Sequence, residues 1–160
     1  MTRRLLLLRH AKAEHTPGVA DLSRALTARG QRQSSYVGTH ARAAGYVPDA
    51  VVLSPSVRTR ETWSYAAPEW QASVQPEEDE RIYDNTVDGL LDVVRETSPD
   101  VSTLLLIGHN PSCELLAEFL DHGKLADGFQ TGFLAAYDVD APWTEIDRPR
   151  ARLLTTLRGE

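Results

Sequence analysis

Four consecutive leucines at positions 5–8 constrain this chain more than any other feature. A run with no polar position leaves no face for water, so a strand made from it must be covered on both sides, as inside a parallel sheet. Four residues fall far short of the ~20 needed to span a bilayer and of the roughly 7–15 in a signal peptide's apolar core. The run therefore reads as a central buried strand over residues 4–8. The chain's 160 residues are expected to form a single domain spanning 1–160. A domain of that length buries roughly 70% of its unfolded surface and needs no metal or disulfide to fold.

Short apolar runs then alternate with helical spacing. Residues 27–44 read as a helix with Ser34, Val37, Ala41 and Ala44 on one face and Gly45 closing it. Residues 50–53 form a second buried strand, with Ser54 expected as N-cap and Pro55 as first residue of a helix ending near Ala66, before Pro68. The tract 75–81 reads as a solvated loop. Val87, Leu90, Leu91 and Val94 lie at helical spacing, ended by Ser98-Pro99. Residues 103–107 are a third buried strand, with Asn110 as N-cap, Pro111 first, and Leu115, Leu116, Phe119 and Leu120 facing inward. Residues 133–139 and 152–157 are strands joined without a helix, which suggests an antiparallel part. The expected fold is α/β, a three-layer α/β/α sandwich with a mostly parallel central sheet.

Ligands of open α/β sheets bind beyond the carboxyl ends of the parallel strands. Those ends carry Arg9-His10-Ala11-Lys12, Ser54-Pro55-Ser56-Val57-Arg58 and Gly108-His109-Asn110-Pro111. Two arginines and two histidines thus reach one rim, and two helix starts add free N–H groups and positive dipole ends. The pattern implies a phosphate pocket. A first-turn Arg58 points back toward the rim, and arginine's planar fork makes bidentate phosphoryl contacts that lysine cannot. A histidine between two arginines stays neutral at pH 7, and a neutral imidazole facing a clamped phosphorus is a nucleophile. Each residue alone has an ordinary reading, such as a surface ion pair of Arg58 with Glu61, and His15, His40 and His122 read as structural or exposed. The convergence of four residues carries the argument.

The segments Leu5-Leu6-Leu7-Leu8-Arg9-His10, Leu26-Thr27-Ala28-Arg29-Gly30, Ser54-Pro55-Ser56-Val57-Arg58-Thr59-Arg60-Glu61-Thr62 and Ile107-Gly108-His109-Asn110-Pro111-Ser112 together resemble the histidine phosphatase superfamily, also called phosphoglycerate-mutase-like. Phe129-Gln130-Thr131-Gly132 and the Trp143 region extend the match. Within that superfamily the chain is most similar to the small SixA-type phosphohistidine phosphatases. The resemblance implies that His10 attacks phosphorus and becomes a phosphohistidine, while Arg9, Arg58 and His109 bind the phosphoryl oxygens and water then hydrolyses the intermediate. It implies no metal and no organic cofactor, the cationic quartet supplying the charge stabilisation that Mg²⁺ supplies elsewhere.

Two positions depart from the pattern or leave it open. Ala11 stands where the superfamily usually has glycine, which adds a methyl and restricts positive φ. Glu80-Arg81-Ile82-Tyr83 resembles the mutase-type loop whose Glu is the general acid, so Glu80 is the candidate acid and Asp84 the second choice, beside the plain reading of a solvated acidic loop.

Seventeen Lys and Arg against 23 Asp and Glu make a net charge of -6, which disfavours nucleic-acid partners. The single cysteine, Cys113, forms no intramolecular disulfide and points to a reducing, cytoplasmic compartment. A His-ligated metalloenzyme built on His10, Glu14, His15 and His109 lacks any recognised ligand spacing. No long insertion caps the rim, so an open pocket is expected, suited to phosphohistidine on another protein or to a small phosphoester. The expectation is a monomeric, metal-independent phosphatase acting on protein phosphohistidine, with no membrane partner. The alternatives are a broad small-molecule phosphomonoesterase and a non-catalytic phosphate-binding module of the same fold.

Overall fold

The computed structural model describes residues 2–121, 125, 128–147 and 150–160, so His122 lies outside the described residues. The leucine run is the middle of strand β1 (Arg3–Arg9), and all four leucines are fully buried. They alternate between two separate cores. Leu5 and Leu7 pack in one with Leu104 and Leu106, while Leu6 and Leu8 pack in the other with Val51, Leu105 and Ile107. Successive side chains of a strand point to opposite faces, so two cores on one run mean a sheet covered on both sides. Each buried leucine stabilises the fold by roughly 1.5–3 kcal/mol.

The remaining elements are α1 (Ala28–Ala43), β2 (Ala50–Leu53), α2 (Val57–Trp70), β3 (Glu77–Glu78), α3 (Glu80–Asp84), α4 (Val87–Arg95), β4 (Thr103–Gly108), α5 (Ser112–Leu120), β5 (Leu134–Val139) and β6 (Ala151–Leu157). The sheet order is β3-β2-β4-β1-β5-β6. The first four of these pair in parallel, and β5 is antiparallel to both β1 and β6. Helices α4 and α5 cover the Leu5/Leu7 face, and α1 and α2 cover the other. The fold is thus the expected three-layer α/β/α sandwich with a mostly parallel sheet. No helix among the described residues is long and apolar enough to cross a membrane.

Local departures from expectation have local causes. Helix α2 is capped by Ser56, whose Oγ accepts from the Thr59 amide at 3.4 Å, and not by Ser54, which sits in the turn where its Oγ meets the Ser56 amide. The helix also runs through Pro68 to Trp70 instead of stopping near Ala66. A proline in a helix costs about 3 kcal/mol. Full burial of Trp70, with its indole N–H on the Tyr46 carbonyl at 2.6 Å, offsets that cost. Pro111 holds the N-cap position of α5 without a side-chain cap; Asn110, one residue earlier, still supplies an acceptor, its Oδ1 taking the Glu114 amide at 3.3 Å while its Nδ2 donates to the Phe129 carbonyl. Leu115 and Ala44 face solvent. The tract 75–81 is not a plain loop: Glu77 and Glu78 pair with Val52 and Leu53, and α3 begins at Glu80.

Candidate active site

The register of the two central strands builds the site. β1 and β4 run in parallel with Arg9 opposite Gly108, so the next residue on each strand, His10 and His109, emerges side by side. Their ring centroids lie 5.3 Å apart, and both are buried, at 7% and 4% exposure. A backbone bond from His10 N–H to the Gly108 carbonyl, 3.0 Å, ties the two exits together.

His10 has a defined tautomer. Its Nδ1 lies 2.8 Å from the Ala11 carbonyl, which can only accept, so Nδ1 carries the proton and Nε2 keeps its lone pair. Burial, reinforced by the positive charge of Arg58 and Arg9, pushes the His10 pKa down to about 3. The imidazole is neutral at pH 7. Ala11 is not among the described non-glycine residues with positive φ, so its backbone does not require glycine. Its methyl is fully buried in a small cluster with Ala13 and Leu26, and its N–H bonds Thr62 Oγ1 at 3.0 Å.

His109 takes the complementary tautomer. Arg58 Nη2 approaches its Nδ1 at 3.4 Å, and a guanidinium only donates, so the His109 proton sits on Nε2. Burial first, then Arg58, lowers the His109 pKa to about 4. Arg58, in the first turn of α2 and 6% exposed, spans from His109 to Asp21. Arg9 is held by the Phe129 carbonyl, 3.1 Å from Nη1. Three buried nitrogens in this quartet have no protein partner: Arg9 Nε, Arg58 Nε and His109 Nε2. All three are donors, so the partner each lacks is an acceptor, such as the oxygen of an anion.

The quartet lines one cavity of 530 Å³, together with residues that sequence reasoning did not single out. Asp21, on the segment 10–27 that borders the mouth, is the most prominent. Its carboxylate accepts from Arg58 Nη2 at 3.1 Å, Tyr83 Oη at 2.7 Å and Arg24 Nη1 at 3.2 Å. The Tyr83 hydroxyl, followed by the arginines, holds its pKa down at about 2, so Asp21 is an anion and no proton donor at neutral pH. Asn85, left-handed at φ 66°, accepts from the Ser112 amide at 3.0 Å and donates to the Asn110 carbonyl, which fixes the loop carrying His109. Only the Asn85 signal, an asparagine closing a short helix, was available in the sequence.

Glu80 and Asp84 are exposed and lie outside the cavity lining, whereas their neighbours Tyr83 and Asn85 belong to it. Helix α3 buries Ile82 completely, and residues two positions either side of a buried helical residue point almost directly away from it. His15 is exposed at the cavity mouth, where its Nε2 meets Arg24, and His40 stacks on Tyr36 away from the site. Cys113 is fully buried under Gly108, and burial raises its thiol pKa to about 12, so it is no nucleophile. Among the described residues no group of three or more His, Cys, Asp or Glu side chains could hold a metal ion.

Comparison with known proteins gives the arrangement a relationship. An uncharacterised protein of Mycobacterium tuberculosis is 28% identical over 156 residues, covering 92% of this chain and 96% of that protein. A Nakamurella multipartitia structure carrying the name phosphohistidine phosphatase SixA superposes with a TM-score of 0.85 at 26% identity, covering 98% of this chain and 96% of the other. One of the same name from Agrobacterium tumefaciens gives a TM-score of 0.84 at 27% identity, with 97% of each chain covered. The model of the histidine phosphatase superfamily, branch 1, matches residues 5–100, which include Arg9, His10 and Arg58. The chain belongs to the histidine phosphatase superfamily.

Proposed function

We propose that this chain, as one domain, is a metal-independent phosphatase that removes the phosphoryl group from protein phosphohistidine through a covalent intermediate on His10. The observation that carries this reading is the pair of complementary tautomers: an unprotonated Nε2 on His10 beside a protonated Nε2 on His109. In the first step His10 Nε2 attacks phosphorus and the bond from phosphorus to the substrate imidazole breaks; that ring takes the bonding pair and leaves neutral because its other nitrogen carries a proton, and His10, keeping its Nδ1 proton, becomes a phosphohistidine. Arg9, Arg58 and His109 bind the phosphoryl oxygens as negative charge redistributes over them. In the second step a water oxygen attacks phosphorus, the bond to His10 breaks, and phosphate leaves.

An imidazole leaving group departs more easily than an alkoxide, which agrees with a cavity whose one lining carboxylate, Asp21, is held ionised. The substrate assignment is supported by the two structures that share about a quarter of this sequence and carry the name phosphohistidine phosphatase.

Incubation with a labelled phosphodonor is expected to yield an acid-labile, alkali-stable phosphoenzyme that His10→Ala abolishes, with turnover unaffected by chelator. A label surviving in His10→Ala overturns the nucleophile. A kcat/KM for phosphomonoesters equal to that for a phosphohistidine protein favours the broad phosphomonoesterase.

A further inference from the structure

Lys12 stands two residues beyond His10, is exposed, and lines the same cavity. Its backbone is held from several sides: its N–H donates to Gln33 Oε1 at 3.0 Å, and its carbonyl accepts from the Thr27 amide at 2.9 Å and the Thr27 hydroxyl at 3.2 Å. Gly30 packs so closely that a Cβ there would come within 2.1 Å of the Lys12 carbonyl oxygen. The base of this side chain is therefore fixed relative to the His10 site while its ammonium remains free to reach.

Charge gives that ammonium a task. Apart from the histidines, four cations line the cavity, Arg9, Lys12, Arg24 and Arg58, against the single carboxylate of Asp21. Asp21 pairs with both Arg24 and Arg58, and Arg9 is bonded to Phe129. A bound phosphoryl group of charge about -2 leaves one positive charge over. It falls on Lys12, the one cation of the four whose side chain makes no hydrogen bond or ion pair among the described residues.

We propose that Lys12 determines specificity by binding a second anionic group, a carboxylate or a phosphate, carried on the same substrate as the phosphoryl group. This deepens the phosphatase reading and rests on the His10 cavity being the phosphoryl site. Such a contact discriminates among substrates without touching the reacting atoms.

Non-hydrolysable ligands test it without turnover. Calorimetric binding of ethylphosphonate, 3-phosphonopropionate and ethane-1,2-diphosphonate is measured at low salt for the wild type, Lys12→Gln and Lys12→Arg. The wild type is expected to prefer a two-anion ligand over ethylphosphonate by about fivefold, the upper range for an exposed ion pair. Whichever of the two gains more identifies the second group. Lys12→Gln should lose the preference and keep its ethylphosphonate affinity, Lys12→Arg should retain it, and added salt should shrink it. Equal binding of all three ligands, a preference that survives in Lys12→Gln, or a matching loss of ethylphosphonate affinity overturns the role of Lys12. Absence of ethylphosphonate binding in the wild type overturns the phosphoryl site itself and Lys12's role with it. In a separate assay, absence of turnover of a phosphohistidine protein by the wild type, with the binding preference intact, would count against the phosphatase reading alone.

Discussion

His10 and Ala11 are joined by more than their peptide bond: the His10 Nδ1–H donates to the Ala11 carbonyl at 2.8 Å, and this bond orients the ring. One consequence is electrical. With its pKa pushed down to about 3, His10 should stay neutral far below the range of an ordinary histidine, and His109, at about 4, should do the same. The ring C–H resonances of both are expected to show no inflection between pH 5 and 8 in the free protein; a midpoint near 6.5 for His10 would refute the assignment. Stability follows the same linkage. Both histidines take up protons more readily when unfolded, so stability should be full above pH 6.5 and fall as pH drops from there toward 4 and 3.

The Ala11 methyl is a packing group, buried with Ala13 and Leu26. Ala11→Gly is expected to lower stability by about 1–2 kcal/mol, from lost apolar contact and added chain entropy, while kcat/KM changes less than about twofold. Denaturant unfolding and steady-state kinetics check the two halves. A large gain in activity would mean that the methyl obstructs the site.

Asp21 joins the segment 10–27 to α2 and α3 through Arg58 and Tyr83. Asp21→Ala should lower kcat/KM about tenfold, the scale of one charge-assisted hydrogen bond, because Arg58 loses its carboxylate partner and keeps only the Asp21 backbone carbonyl. Asp21→Asn, which keeps an acceptor oxygen, should lose less. Identical losses in the two variants would show that charge, not orientation, is what matters.

Glu80 offers a sharp negative test. It is exposed and outside the cavity lining, so Glu80→Gln is expected to leave hydrolysis of both an aryl phosphate and a phosphohistidine substrate within about twofold of wild type. A selective loss on the aryl phosphate would restore Glu80 as the general acid.

Much of the fold lay in the chain's own pattern. The leucine run, two further apolar runs and the intervening helical spacing were sufficient for an α/β sandwich, because periodicity and burial are local properties that each segment carries. The same holds for the quartet. Arg9 ends β1, His10 and His109 follow directly on β1 and β4, Arg58 lies in the first turn of the helix after β2, and strand exits converge in any parallel sheet. What the sequence could not contain was orientation. Glu80 fits a family spacing, but the burial of Ile82 turns it outward, and Asp21 belongs to no recognisable pattern until the segment 10–27 folds back over Arg58. Tautomers are likewise tertiary facts, since the carbonyl of Ala11 and the guanidinium of Arg58 decide which nitrogen carries the proton. Sequence by itself determined that Arg9, His10, Arg58 and His109 reach the rim; packing across the sheet decided which residues join them, which way each faces and in what protonation state, because those depend on partners distant in the chain.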